Sequence, residues 1–160
     1  MAKTRTIIIF ALATLWVACT PSNPPDEGRV ASTMAKSAKR GVAFNFVVAD
    51  DLPLLSSAIS WDYNWGNDQN PTAASWMDME GIDFCPMCWN GNYSADKIRA
   101  FVAAHPNTKY LLAFNEPNLT DQANMTPSKA AELWPSVVDL AKELNLKLVS
   151  PAMNYGTLAG

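Results

Sequence analysis

One glutamate in this sequence stands where chemistry is done. Tyr110 to Phe114 is an unbroken apolar run, and it ends abruptly in Asn115-Glu116-Pro117-Asn118. A continuous apolar run reads as a strand buried on both faces, as in a parallel sheet covered by helices, with the polar cluster at its carboxyl end. In α/β barrels that end carries the reacting groups. A carboxyl group raised there, beside an amide able to hold a sugar hydroxyl, has the makings of the acid/base of a glycosidase. Retaining hydrolysis needs a second carboxyl group roughly 5–5.5 Å away to attack the anomeric carbon. Glu80, Glu132 and Glu143 lie in or beside predicted helices, and Asp62 and Asp83 sit within strand runs rather than at their ends. None of these reads as that nucleophile.

A rival chemistry sits at Cys85-Pro-Met-Cys88. A Cys-x-x-Cys pair after a strand can be a redox couple, but such couples place the first thiol at a helix amino terminus. Here Trp89-Asn-Gly-Asn-Tyr93 follows, which breaks a helix rather than starting one. If one strand runs through both cysteines their side chains diverge, and a disulfide requires the chain to turn at Pro86. Zinc would need further ligands, and the one histidine, His105, falls at a helix end.

The elements that position these residues repeat a simple phrase. Gly41 to Val48 is a β-rich run, followed by one or two helical turns over Asp51 to Ser57. Ala58 to Trp65 and Ile82 to Trp89 are the second and third strand runs. Ser94 caps a helix with Ile98, Phe101 and Val102 on one face, closed by His105-Pro106. After the Tyr110 run, Thr126 caps a longer helix with Pro127 in its first turn and a stripe of Ala130, Leu133, Trp134, Val137, Ala141 and Leu144. Lys147 to Met153 is the fifth strand. Alternating strands and helices predict an α/β fold with a parallel sheet. Polar and aromatic residues gather at each carboxyl end: Asn64 and Trp65, Trp89 and Asn90, Asn115 and Glu116, Asn154 and Tyr155. That recurrence favours a barrel, in which every strand end faces one site, over a doubly wound sheet with a single switch point.

Three motifs, Ser60-Trp-Asp-Tyr-Asn-Trp65, Phe84-Cys-Pro-Met-Cys-Trp89 and Leu111-Leu-Ala-Phe-Asn-Glu-Pro-Asn118, in this order and spacing, resemble the second, third and fourth strand motifs of glycoside hydrolase family 128. The resemblance covers about residues 39 to 156. It implies a (β/α)8 TIM barrel of clan A acting on β-1,3-glucan, of which this chain holds about the first five βα units. It puts Glu116 in the place of the general acid/base and Asn115 in that of the amide on the sugar 2-hydroxyl. Trp65 and Trp89 correspond to aromatic positions near the cleft, with Asn64 and Tyr63 as candidates for polar contacts. The nucleophile of such enzymes is a Glu after the seventh strand, expected in a longer protein of which these residues are the amino-terminal part. The activity implied is that of a retaining endo-β-1,3-glucanase with β-glucan poly- or oligosaccharide as partner, and it calls for no organic cofactor and no metal.

Residues 1 to 18 read as an export signal, with Lys3 and Arg5 ahead of an apolar stretch from Thr6 to Ala18 that is short for a bilayer span. Leu15-Trp-Val-Ala-Cys19 resembles a bacterial lipobox with Cys19 as the lipid attachment site, although Trp16 departs from that pattern. The expected location is therefore secreted or at the cell surface or periplasm, with a lipid anchor as one form of it. Residues 19 to 38, with Pro21, Pro24 and Pro25, form a linker or tether too polar to build a core, and the resemblance makes 39 to 160 the amino-terminal part of a glycosyl hydrolase catalytic barrel, expected to be inactive by itself. A hydrophobic content of 49% suffices for a core, and a net charge of −3 argues against nucleic acid or an anionic membrane surface as partner. Two readings stand beside hydrolysis: a non-catalytic glucan-binding or cell-wall protein, and a thiol oxidoreductase using Cys85 and Cys88.

Overall fold

The computed structural model describes residues 36 to 48 and 50 to 155. The export signal, Cys19 and all but the last three linker residues lie outside them. Nine elements follow in order: β1 (Gly41–Ala43), α1 (Leu52–Leu55), β2 (Trp61–Tyr63), α2 (Pro71–Glu80), β3 (Asp83–Phe84), α3 (Ala95–Ala104), β4 (Tyr110–Leu112), α4 (Pro127–Glu143) and β5 (Lys147–Val149). Strand and helix alternate as the apolar runs predict. The strands are shorter than those runs, because the residues at their carboxyl ends leave the ladder to build loops.

All pairings are parallel. Val42 lies beside Asp62 and Asp62 beside Phe84, giving the order β1-β2-β3, while Leu111 pairs with Leu148 in β4-β5. A single parallel bridge, Met87 to Leu112, joins the two sheets. Pro86 explains why it is single. The backbone after β3 donates alternately to each side: Cys85 and Met87 to the β2 side (Asp62 and Gly66 carbonyls), Cys88 to Leu112 of the β4 side. The parallel repeat puts the next donor toward β4 at position 86, where proline has no N–H. The strands thus succeed one another without the order reversal of a doubly wound sheet.

Helix ends follow local chemistry. Ser94 Oγ accepts from Lys97 N and Thr126 Oγ1 from Lys129 N, with Pro127 in the first turn of α4 as expected. Helix α2, which the sequence reading leaves without bounds, has the same signals: Asn70 Oδ1 accepts from Thr72 N and Ala73 N, Pro71 opens it, and Gly81 closes it at φ 62°. Its buried face is Ala73, Ala74 and Met77, in which Met77 is the one large side chain, so no apolar stripe stands out.

The core lies between strands and helices. Phe46, Leu52, Met77, Ile82, Phe84 and Phe101 fill it under α1, α2 and α3, and Ile98, Leu111, Phe114, Val137 and Leu140 fill it under α3 and α4. Each such buried side chain contributes about 1.5–3 kcal/mol relative to exposure. The other sheet face carries Trp61, Cys85, Tyr110, Leu112 and Val149 around a cavity of ≈ 250 Å³. Cys85 and Cys88 therefore point to opposite faces, Cys88 into the helix-side core, and both are buried free thiols.

Candidate active site

The carboxyl ends of β2 to β5 and the segments that follow them enclose a cleft of ≈ 550 Å³ lined by Tyr63, Trp65, Trp89, Asn115, Glu116, Gln122 and Ala152. Five of the six residues expected to act on substrate meet here. Among the described residues Glu116 is the only carboxylate that lines it.

Two lining residues have left-handed backbones, Trp65 at φ 62° and Glu116 at φ 41°. Such a conformation is strained for a bulky side chain, by about 1–3 kcal/mol, and persists only where the surroundings hold it. They do so in both cases. Glu116 N donates to Ala152 O at 2.8 Å and Leu119 N to Glu116 O at 3.0 Å, so the glutamate is pinned from both sides. The Trp65 loop is fixed by Met87 N donating to Gly66 O at 2.8 Å and by Asn67 Nδ2 donating to Met87 O at 2.9 Å. The Trp65 ring is partly exposed and stands edge-on to Tyr63, centroids 5.3 Å apart. It offers an apolar face to the cleft of the kind that stacks on a sugar ring.

The polar groups are ordered by neighbours within their own loops and by others distant in sequence. Glu116 Oε1 accepts from Asn154 Nδ2 at 2.8 Å. Asn115 is buried; its N–H donates to Trp89 O, and its Nδ2 donates to Gln122 Oε1 at 3.0 Å. Gln122 fixes the amide that stands beside the acid. Nothing in the run Asp121 to Asn124 marks Gln122 by pattern, so the sequence reading misses it. Asn64 does not line the cleft. Its Oδ1 accepts from Gly66 N at 2.9 Å and its Nδ2 donates to Asp68 O at 3.0 Å, so it shapes the turn that presents Trp65. Tyr155, noted at the fifth strand end, is exposed and does not line the cleft.

Asp62 faces away from the cleft, fully buried on the helix side of β2 between Val42 and Phe84. Its Oδ2 accepts from Gln69 Nε2 at 3.1 Å, while Oδ1 has no partner of hydrogen-bond geometry. Desolvation pushes its pKa up to about 7, against weaker opposing effects from the nearby Phe44 and Tyr63 backbone and Gln69. Three of the other acids weighed as nucleophile are engaged in ion pairs: Glu132 with Lys129, Glu143 with Arg99, and Asp83 with Lys109. Burial also pushes the Cys85 and Cys88 thiols up to about 12, the reverse of what a redox couple requires. Among the described residues no three His, Cys, Asp or Glu side chains lie together as a metal site would need.

A parallel α/β layering that gathers a carboxylate, an amide and flat aromatic faces at the carboxyl ends of its strands places its polar cleft where α/β barrels carry their functional groups. Residues 41 to 159 match the model of the glycosyl hydrolase catalytic core. No match was found among the curated proteins. Among solved structures, the chain is similar to a subgroup II family 128 endo-β-1,3-glucanase from Pseudomonas viridiflava, with 44% identity and TM-score 0.69 over 75% of this chain and 47% of that one. A subgroup I endo-β-1,3-glucanase from Amycolatopsis mediterranei, in complex with laminaritriose, shares 33% identity at TM-score 0.57 over 75% and 46%. A curdlan-specific exo-β-1,3-glucanase of subgroup III from Blastomyces gilchristii, in complex with glucose, shares 32% at TM-score 0.57 over 76% and 50%. The chain spans about half the length of these structures. It belongs to the glycosyl hydrolase catalytic core family, and the solved structures it resembles over about half their length are of glycoside hydrolase family 128.

Proposed function

We propose that this chain supplies the acid/base half of a retaining endo-β-1,3-glucanase, as the first five βα units of a (β/α)8 barrel. The observation that carries this is Glu116: a half-buried carboxyl group in the cleft, held by Asn154 and flanked by Asn115, Trp65 and Trp89. In this reading a glucan lies along the cleft with sugar faces on the two tryptophans. Asn115, its orientation set by Gln122, holds the 2-hydroxyl. Glu116 protonates the glycosidic oxygen as the bond to the anomeric carbon breaks. A second glutamate, from the strand that is seventh in the family barrel, attacks that carbon. Glu116, now ionised, takes a proton from water, which releases the sugar with its configuration retained.

Glu116→Gln in the complete protein tests this: activity on unactivated β-1,3-glucan should fall by about 10²- to 10⁴-fold with the fold intact, the usual contribution of a positioned acid. Near-normal turnover would refute it. The flat faces of Trp65 and Trp89 in the cleft serve equally a second reading, a glucan-binding protein without turnover. Binding of laminari-oligosaccharides with no release of reducing ends would select it. The thiol chemistry of Cys85 and Cys88 has less support, since both are buried on opposite sheet faces with raised pKa values. Export, with Cys19 as lipid attachment site, belongs to the same proposal and rests on Lys3, Arg5 and the apolar stretch to Ala18. Loss of labelled fatty acid incorporation in Cys19→Ser checks the anchor.

A further inference from the structure

Asn118 makes a double hydrogen bond with the backbone of a residue on the next strand segment. Its Nδ2 donates to Asn154 O at 3.0 Å and its Oδ1 accepts from Asn154 N at 3.1 Å. Paired in this way, a side-chain amide reads a backbone peptide on both its donor and its acceptor, which fixes distance and rotation together. The clasp spans 36 residues of sequence. The side chain of the clasped residue, Asn154, in turn donates to Glu116 Oε1 at 2.8 Å. The backbone on the other side of Glu116 is tied as well, through Glu116 N to Ala152 O. Glu116 and Asn118 flank Pro117, whose fixed φ narrows the backbone freedom between them.

We propose that Asn118 is a positioning residue for Glu116, acting through Asn154: it locks the β5 extension so that the Asn154 amide holds the Glu116 carboxyl in its proton-donating orientation. This rests on Glu116 being the general acid. A side chain with three rotatable bonds on a strained backbone would otherwise sample orientations that cannot reach the glycosidic oxygen, and proton transfer is sensitive to such misplacement. Asn118 touches no substrate in this account. Its loss should therefore damage the step that needs an acid and spare the step that does not.

The test compares wild type, Asn118→Ala and Asn154→Ala in the complete protein on two substrates: laminarin, whose leaving sugar needs protonation, and a dinitrophenyl β-1,3-glucan oligosaccharide, whose leaving group does not. On laminarin kcat/KM should fall by roughly 10- to 100-fold, part of what a well-placed acid supplies, with KM changed less than about twofold. On the dinitrophenyl substrate kcat/KM should stay within about threefold, because protonation is no longer required. The double variant should be no worse than either single one, since both break the same chain of contacts. Asn118→Asp, which keeps the acceptor toward Asn154 N and loses the donor, should recover part of the laminarin activity. Asn154→Ala removes the donor to Glu116 directly and serves as the test if Asn118→Ala does not fold. Equal losses on both substrates, or additive losses in the double variant, would overturn the proposal while leaving Glu116 as the acid. A wild-type protein that cleaves neither substrate would overturn the functional reading and this inference with it.

Discussion

Asp62 makes a pH-dependent stability that a single substitution should abolish. The carboxyl group is fully buried, with one oxygen unpartnered, and its pKa is raised from 3.8 to about 7. Because the folded-state value lies above the unfolded one, the folded protein holds a proton that the unfolded chain releases. Stability is therefore greatest below about pH 3.8, falls as pH rises through the interval up to about 7, and stays at its lower level above that. A shift of about three pKa units at roughly 1.4 kcal/mol each makes the loss about 4 kcal/mol, an upper bound if water reaches the site. An asparagine at this position would have the same shape, could still pair with Gln69, and has no charge to desolvate. Asp62→Asn should thus match the wild type near pH 4 and exceed it by up to about 4 kcal/mol at pH 8. Urea unfolding followed by tryptophan fluorescence at pH 4, 6 and 8 reads this directly, and titrations common to both proteins cancel in the difference. A difference that does not change with pH, or a substituted protein less stable than the wild type at pH 8, would refute the argument.

Two further outcomes follow from the same geometry. Trp65→Ala or Trp89→Ala in the complete protein should each weaken laminaritriose binding by about tenfold, the loss of one stacking face at about 1–2 kcal/mol, measured by titration calorimetry; unchanged affinity in both would remove the cleft as the sugar site. Cys85 and Cys88, with pKa values near 12 instead of 9, should be alkylated at pH 8 on the order of 10³-fold more slowly in the folded protein than in denaturant, and rapid native-state labelling would contradict their burial.

Asp62 also explains what its cost supports. Its Oδ2 anchors Gln69, whose Oε1 accepts from Asn70 N at 2.8 Å at the start of α2 and from Asn64 Nδ2 at 3.4 Å. The loop from Asn64 to Asn70 that carries Trp65 is thereby tied to β2 and to the cap of α2. The aromatic face and the acid are thus each held by an asparagine and its partners, one set on β2 and α2, the other on β4 and β5.

The alternation of apolar runs with capped helices was legible in the sequence because both signals are local. Ser94, Thr126 and Pro127 act within one helical turn, and the stripe of α4 declares its own buried face. The strand-end placement of Glu116 was legible for the same reason: an unbroken apolar run followed by Asn115-Glu116-Pro117 marks a buried strand and its exit. Even the divergence of Cys85 and Cys88 follows from the alternation of extended backbone, which continues past the end of β3 to the bridge at Met87. What depended on which partners the folded loops and strand ends supply was not legible. Asn64 and Trp65 are neighbours in sequence, yet one turns inward to hold the loop and the other outward to line the cleft, because Asp68 and Gly66 provide partners for the amide. Helix α2 hid its buried face in two alanines and a single methionine. Gln122 carries no pattern of its own and Asn118 stands in the strand-end motif without a role, and each acquires its position only when a partner reaches it, within the Glu116 loop for Gln122 and from the β5 extension 36 residues on for Asn118. Periodicity and capping specify elements, since their energies arise between residues a few positions apart; which amide faces which carboxylate is decided by strand order and register, and these exist only in the folded chain.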